Sequence, residues 1–276
     1  MVYGKNIEDI VPIKKKDKRN YNICLMFLVI FCIMFVWFGY KTIKYFVDNN
    51  KTNKVIKEIN ELAIVDNVDQ SNNTNQEQTE EVKTEQNFGI DFEALKSINP
   101  DIVSYIQVLG TDINYSVVKG VDNEYYLFHN FYKEYDLAGW PFADYENKMN
   151  GTDKNIIIYA HNMKNGTMFA TLKNVFSEEW QKNKDNRYIT YITEDEKATY
   201  EIYSIYKVEN EDYYRKVNFD DNEFLRFIEV TKERSLYNFG VDLSLSDKIL
   251  TLSTCDTNNK YRVVVHAKKI VNKEEK

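Results

Sequence analysis

The sequence predicts a mainly β fold, a mostly antiparallel barrel or sandwich, over roughly the last 190 of its 276 residues. Three observations predict it. Short apolar runs rich in β-branched and aromatic residues recur between residues 103 and 270, most of them separated by turn signals. Helical periodicity is confined to a few stretches among them. The stretch is long enough to bury one substantial core, and hydrophobic residues at 43% with charged residues at 29% suit a folded protein.

The elements follow in chain order. Residues 21–40, YNICLMFLVIFCIMFVWFGY, carry no charge and one strongly polar side chain, Asn22. As a helix this run spans about 30 Å, the thickness of a hydrocarbon core. Tyr21, Trp37 and Tyr40 stand where interfacial aromatics belong. A cleaved signal peptide would have a shorter apolar region and a small-x-small cleavage site, and GYKTIKYF offers none. The expectation is an uncleaved transmembrane anchor. Lys5, Lys14, Lys15, Lys16, Lys18 and Arg19 precede it, and Lys41, Lys44, Lys51, Lys54 and Lys57 follow. That six-to-five balance, with the tight cluster at 14–19, leans towards a cytoplasmic segment 1–20 and an extracellular domain. Residues 41–87 read as a stalk. The first part, to about Val65, extends a helix from the membrane. The part from 66 to 86, rich in Asn, Gln and Glu, has too few apolar residues to offset the entropy of ordering.

The folded domain is expected over 88–276. A short helix at 91–98 ends at Asn99-Pro100. Strands are expected at 103–109, 113–118, 155–160, 188–192, 198–208, 248–254 and 262–270. Two helices interrupt them. One covers 167–176, with Met168, Leu172, Val175 and Phe176 at helical spacing. The other starts at Asp220, which caps it; Glu223 completes a capping box, Phe219 and Phe224 form a hydrophobic staple, and Leu225, Ile228 and Leu236 continue the apolar stripe. No internal repeat is present.

Few residues are available for hard chemistry. Only Cys24, Cys32 and Cys255 carry thiols, which excludes a disulfide scaffold and a multi-cysteine metal site. Only His129, His161 and His266 carry imidazoles, and no acidic run has calcium-ligand spacing, so no metal or other cofactor is expected. The net charge of −7 argues against a nucleic-acid partner. Cys24 and Cys32 lie in the apolar run, eight residues and about 12 Å apart on a helix, too far for a disulfide, and read as apolar filler.

Cys255 stands apart. It ends the strand-like KILTLST run, the polar stretch DTNNKY (256–261) follows, and RVVVHAKKI begins at Arg262. An antiparallel pair joined this way puts Cys255 and Arg262 at facing strand ends. A nearby guanidinium favours thiolate over thiol. The competing reading is a buried structural cysteine with a surface arginine. A nucleophilic cysteine needs a proton-transfer partner. His266 is mid-strand and reads as a satisfied sheet residue; His129 lies among aromatics and reads as packing or surface. His161 ends NIIIYAHN, where a strand enters a loop, a usual place for a working side chain. Spacing alone leaves both readings of His161 open.

Thr251-Leu252-Ser253-Thr254-Cys255 resembles the TLxTC motif of sortases, membrane-anchored cysteine transpeptidases of Gram-positive bacteria. NIIIYAHNMKNGTMFATLKNV is similar to the family's histidine segment and YRVVVHAKKI to its arginine strand; INPDIVSYIQVLGTDINYSVVKG and GWPFADYEN resemble earlier parts of its core. The resemblance covers 90–271 and leans to class B, through HNM followed by a helix and through the later helix near 220–236. It implies an eight-stranded β-barrel with N-terminal helices and a class B helix between two late strands. It implies catalytic roles for Cys255 as nucleophile, His161 as acid and base, and Arg262 as oxyanion stabiliser. It implies a substrate groove containing Asn123, Leu127, Ser253 and Thr254; Ser253 shares a strand face with Cys255 by the period of two. The implied partners are surface proteins bearing a C-terminal sorting signal, NPxTx or PxT-like, a cell-wall peptide amine as acceptor, and the membrane through one helix. The loop ENEDYYRK, 209–216, lies where the resemblance implies that signal specificity is shaped, but its residues depart from the family patterns. Alternatives are a cysteine hydrolase, a membrane-tethered binding module without activity, and a pilus-polymerising sortase.

Overall fold

The structure, a computed structural model, describes residues 15–64, 89–209, 213–255 and 260–270, excepting the side chains of 15–19 and of Cys255. The side chains of the basic flank before residue 20, the acidic tract 66–86, most of the 256–261 connection and residues 210–212 of the unmatched loop therefore lie outside the described residues. Two compact units are present, Met1–Asn50 and Lys51–Lys276.

The helix α1 (Lys15–Ala63) begins in the first unit, and there it exposes apolar side chains on every face, among them Phe27, Phe31, Ile33, Phe35, Val36 and Phe38. A helix apolar all round suits lipid rather than a water-facing surface. By length and composition it can cross a membrane.

The second unit takes up the last turns of α1. Val55, Ile59 and Ala63 are buried in its core, and the Asn60 side-chain amide donates to the Asn114 carbonyl at 3.1 Å. Thr52 donates to Asp136 at 2.8 Å. The tract 41–87 is thus not uniform: this part packs, because its apolar residues recur at helical spacing. Next, α2 (Phe92–Ile98) is capped by Asp91, whose carboxylate accepts from the Ala94 amide at 2.8 Å, and buries Phe92 and Leu95.

Eight strands follow: β1 (Ile102–Val108), β2 (Asn114–Val118), β3 (Phe142–Ala143), β4 (Asn155–Tyr159), β5 (Tyr188–Ile192), β6 (Lys197–Glu209), β7 (Ile249–Cys255) and β8 (Tyr261–Ile270). They close into a barrel in the order β1-β2-β3-β4-β7-β8-β6-β5. Closure leaves no open sheet edge. Seven strands lie within a residue or so of the expected ranges. The two-residue β3 escaped detection because it is too short to show a period. Two junctions, β2 with β3 and β4 with β7, are parallel. Long connections make that possible, since a parallel pair needs a crossover.

The helices differ more from expectation. Residues 167–176 do not form one α-helix. Met168 takes φ +58° in a bridge to Asn162, and a 3₁₀ helix covers Ala170–Phe176. The apolar spacing was right, but the backbone first turns back to meet the preceding loop. A five-residue helix, α3 (Glu178–Lys182), capped by Ser177, follows. Between β6 and β7, α4 (Asp221–Arg234) carries the expected capping box, and the Phe219 and Phe224 rings are 5.4 Å apart. Its buried face is Phe224, Phe227, Ile228 and Thr231; Leu225 is exposed, and Leu236 lies past the helix end. Thr231 ties α4 to β6 through the Tyr203 hydroxyl at 3.0 Å and the Ser204 hydroxyl at 2.5 Å.

Candidate active site

The parallel junction of β4 with β7 sets the site. Its register pairs Tyr159 with Ser253, and the Ala160 amide donates to the Ser253 carbonyl at 3.3 Å. His161 and Cys255 each lie two residues beyond that rung, on neighbouring strands running the same way. β7 and β8 are antiparallel, and Arg262 is the Cα partner of Cys255. Three adjacent strands thus deliver His161, Cys255 and Arg262 to one end of the barrel. The Cys255 side chain lies outside the described residues.

A groove of about 180 Å³ opens there. Asn123, Leu127, His161, Ser253, Thr254 and Arg262 all line it, so the residues that the resemblance implies for catalysis and the groove, where the side chain is described, lie together. Tyr159, Tyr214 and Arg215 line it as well and were not singled out by sequence. Tyr159 sits in an apolar strand where nothing but position marks it.

His161 is half-buried. Its Nε2–H donates to the Leu127 carbonyl at 2.9 Å, which fixes the ring and, because a carbonyl only accepts, fixes the proton on Nε2. Leu127 closes a 3₁₀ turn, Tyr125–Leu127, that is pinned from behind. The buried Asn99 donates to the Tyr126 hydroxyl at 3.0 Å and to the Phe131 carbonyl at 2.9 Å. The Tyr126 hydroxyl donates to Asp101 at 2.6 Å, and Lys133 pairs with the same carboxylate at 2.8 Å. Burial works to raise the Asp101 carboxyl, but these two partners outweigh it and hold it below the usual range.

The groove wall is a polar relay. Asn123 donates to Asp144 at 3.0 Å and accepts from the Tyr145 amide at 3.0 Å. The Tyr159 hydroxyl donates to the same Asp144 oxygen at 2.7 Å. Burial, reinforced by that carboxylate, pushes the Tyr159 hydroxyl far above its usual range, so it stays a neutral donor. The Ser253 and Tyr214 hydroxyls meet at 3.0 Å. The Thr254 hydroxyl is buried without a hydrogen-bond partner among the described residues.

The other two histidines stand elsewhere. His129 stacks on Tyr125 at 4.0 Å and donates to that residue's carbonyl at 2.7 Å. His266 is fully buried between β6 and β7. Asn155 donates to the Lys216 carbonyl at 2.9 Å, so its oxygen accepts from Thr251 at 2.6 Å. Thr251 then accepts from His266 Nδ1–H at 2.8 Å, and Nε2 accepts from the Tyr206 hydroxyl at 2.8 Å. Burial and the positive Arg234 push this imidazole down to about 3, so it is neutral. Among the described residues no group of three or more His, Cys, Asp or Glu is placed to hold a metal ion.

A sortase domain family model matches residues 106–270, more than half of the chain. Sortase B of Listeria monocytogenes is 36% identical over 180 residues, spanning 63% of this chain and 72% of that protein. The crystal structure of Clostridium perfringens sortase B superposes with a TM-score of 0.61 at 40% identity, covering 65% of this chain and 99% of that one. A Staphylococcus aureus sortase B, solved as a substrate complex, gives 0.61 at 33% identity over 66% of this chain and 85% of that one. Barrel topology, the helix between β6 and β7 and this similarity agree: the chain belongs to the sortase family, in its class B, and is a cysteine transpeptidase.

Proposed function

We propose that the groove binds a C-terminal sorting signal of NPxTx or PxT-like pattern and that Cys255, His161 and Arg262 carry the transfer. The Cys255 thiolate attacks the carbonyl carbon of the signal's Thr. A C–S bond forms and the carbonyl electrons move to oxygen, where Arg262 stabilises the charge. The C–N bond then breaks, and the leaving nitrogen takes a proton from His161, giving a thioester. An amine of a cell-wall peptide attacks that thioester and gives its proton to His161, and the C–S bond breaks to restore the thiolate. With Nε2 donating to Leu127, Nδ1 is the ring atom that exchanges the proton. Asn123, Leu127, Ser253 and Thr254 contact the signal. A thioester suits the task because it reacts with amines yet persists long enough to meet one.

One observation carries the reading: the groove is lined by His161, Ser253, Thr254 and Arg262, at the strand end where Arg262 faces Cys255 in register. The substrate complex of the S. aureus enzyme, and a sortase B solved in complex with triglycine, support a peptide in this groove and an amine as acceptor. The 21–40 segment serves as a single-pass anchor with residues 1–20 cytoplasmic, and 88–276 is the extracellular catalytic domain beyond the stalk.

The test uses the full chain in detergent with sorting peptides and amine acceptors. Mass spectrometry should find the thioester in the wild type and none in Cys255→Ala, with unchanged circular dichroism. Arg262→Ala should lower turnover about 10²–10³-fold. Cleavage by Cys255→Ala would refute the mechanism, and product formed only with water would favour a hydrolase. Protection of the catalytic domain from protease on intact cells would overturn the orientation.

A further inference from the structure

One buried carboxylate stands behind the groove wall. Asp144 is 4% exposed and does not line the groove, yet two half-buried side chains that do line it, Asn123 and Tyr159, both end on it. Its place follows from the strands. β3 pairs with β4 so that Phe142 faces Tyr159 and Ala143 faces Ile158, and the Asp144 amide then donates to the Ile157 carbonyl at 2.9 Å. One carboxylate oxygen accepts from Asn123 Nδ2 at 3.0 Å and from the Tyr159 hydroxyl at 2.7 Å; the other accepts from the Glu146 amide at 2.9 Å. A carboxylate only accepts, so each partner must donate to it. Tyr159 has one hydroxyl hydrogen and gives it to Asp144. Its oxygen is left with lone pairs, and towards a ligand it can only accept. Asn123 is settled the other way. Its oxygen accepts from the Tyr145 amide at 3.0 Å, so its nitrogen faces Asp144 and keeps one further N–H to donate. An extended peptide presents N–H and C=O groups along its length and needs both an acceptor and a donor beside it.

We infer that Asp144 is a positioning residue for the peptide: its buried carboxylate holds the Tyr159 oxygen ready to accept a backbone N–H of the sorting signal and the Asn123 amide ready to donate to a backbone carbonyl. The inference rests on the groove being the substrate site, as proposed above. Asp144 touches no substrate atom itself; it acts through the two side chains that it fixes.

The experiment uses the full chain in detergent and sorting peptides in which one backbone N–H at a time, before the scissile bond, is replaced by an ester oxygen. Thioester formation is followed by mass spectrometry. At one position the wild type should prefer the amide peptide about tenfold over its ester, the size of a lost hydrogen bond, with the difference in KM. Tyr159→Phe should erase that preference, because the acceptor is gone. Asp144→Ala should reduce it about threefold or more, because the Tyr159 hydroxyl hydrogen is then free to turn towards the groove. A carboxylate that served stability alone would, once removed, slow both peptides equally and leave their ratio unchanged. An Asp144→Ala enzyme that is folded by circular dichroism and keeps the wild-type ratio therefore overturns the inference. So does a wild-type ratio in Tyr159→Phe, the measurement that decides the matter if Asp144→Ala does not fold. A wild type that forms thioester from every amide and ester pair at equal rates also sinks it while leaving the function standing. A wild type that forms no thioester with any amide peptide removes the function, and this inference with it.

Discussion

His266 shows how far a single residue's chemistry depends on its surroundings. In VVVHAKK it is one imidazole among valines, and in the fold it is a neutral link between Thr251 and Tyr206. Both ring nitrogens are satisfied in the neutral form, and a second proton would place a charge in a fully buried site near Arg234. The unfolded chain binds that proton below about pH 6.5, whereas the native imidazole resists it down to about 3. Above pH 6.5 both states are neutral and the stability is fully present. Between 6.5 and 3 only the unfolded state charges, so stability falls as pH drops, by about 1.4 kcal/mol per unit at most. Urea midpoints at pH 7, 5 and 4 should therefore fall more steeply for the wild type than for His266→Gln; parallel slopes would refute the assignment. At this scale the sequence was informative about the groove and silent about its wall. Position at a strand end singled out His161 and Cys255. Tyr159 carries no mark in the sequence, and Tyr214 and Arg215 were marked only as part of the 209–216 loop, because a place on the groove lining comes from what lies across the groove.

Among the elements, the segment behind the groove is the least regular and the most constrained. Gly139 takes φ +60°, and a Cβ there would meet the backbone of the Tyr125–Leu127 turn, 2.7 Å from the Leu127 oxygen and closer still to that of Tyr126. The Leu127 oxygen is the same one that accepts from His161. Gly139→Ala must therefore push away the carbonyl that fixes the imidazole. Backbone strain and the forced shift together should cost about 1–3 kcal/mol of stability, with a fall in kcat larger than Gly120→Ala produces. Thermal unfolding with steady-state kinetics on both variants checks this; equal kcat values would separate Gly139 from the site. The strands were legible because β-branched and aromatic runs show themselves within five to ten residues. The parallel pairing of β4 with β7 was not, although it is what brings His161 and Cys255 to one end. Pairing partners more than ninety residues apart leave no local signal.

For the whole molecule, the α1 segment has two environments. Its apolar run suits lipid, while Val55, Ile59 and Ala63 join the core of the second unit. Burying the Val and Ile side chains contributes about 1.5–3 kcal/mol each before the cost of ordering the helix. A chain beginning at Lys51 should leave the membrane fraction and retain most of its thermal stability, whereas one beginning at Gly89 should unfold several degrees lower. Equal melting temperatures would show that the helix end contributes nothing. By itself the sequence determined the long apolar segment near the N-terminus, the β class of the domain, the capped helix near 220 and a thiol and guanidinium at facing strand ends. These depend on contacts within a few residues, or on composition, and local patterns report them. Only the tertiary structure decided that the barrel closes through two parallel junctions and that part of the presumed stalk packs into the core. It also decided that a second arginine stands in the groove. Those features depend on which distant segments exclude water together, and that choice is made by the whole chain.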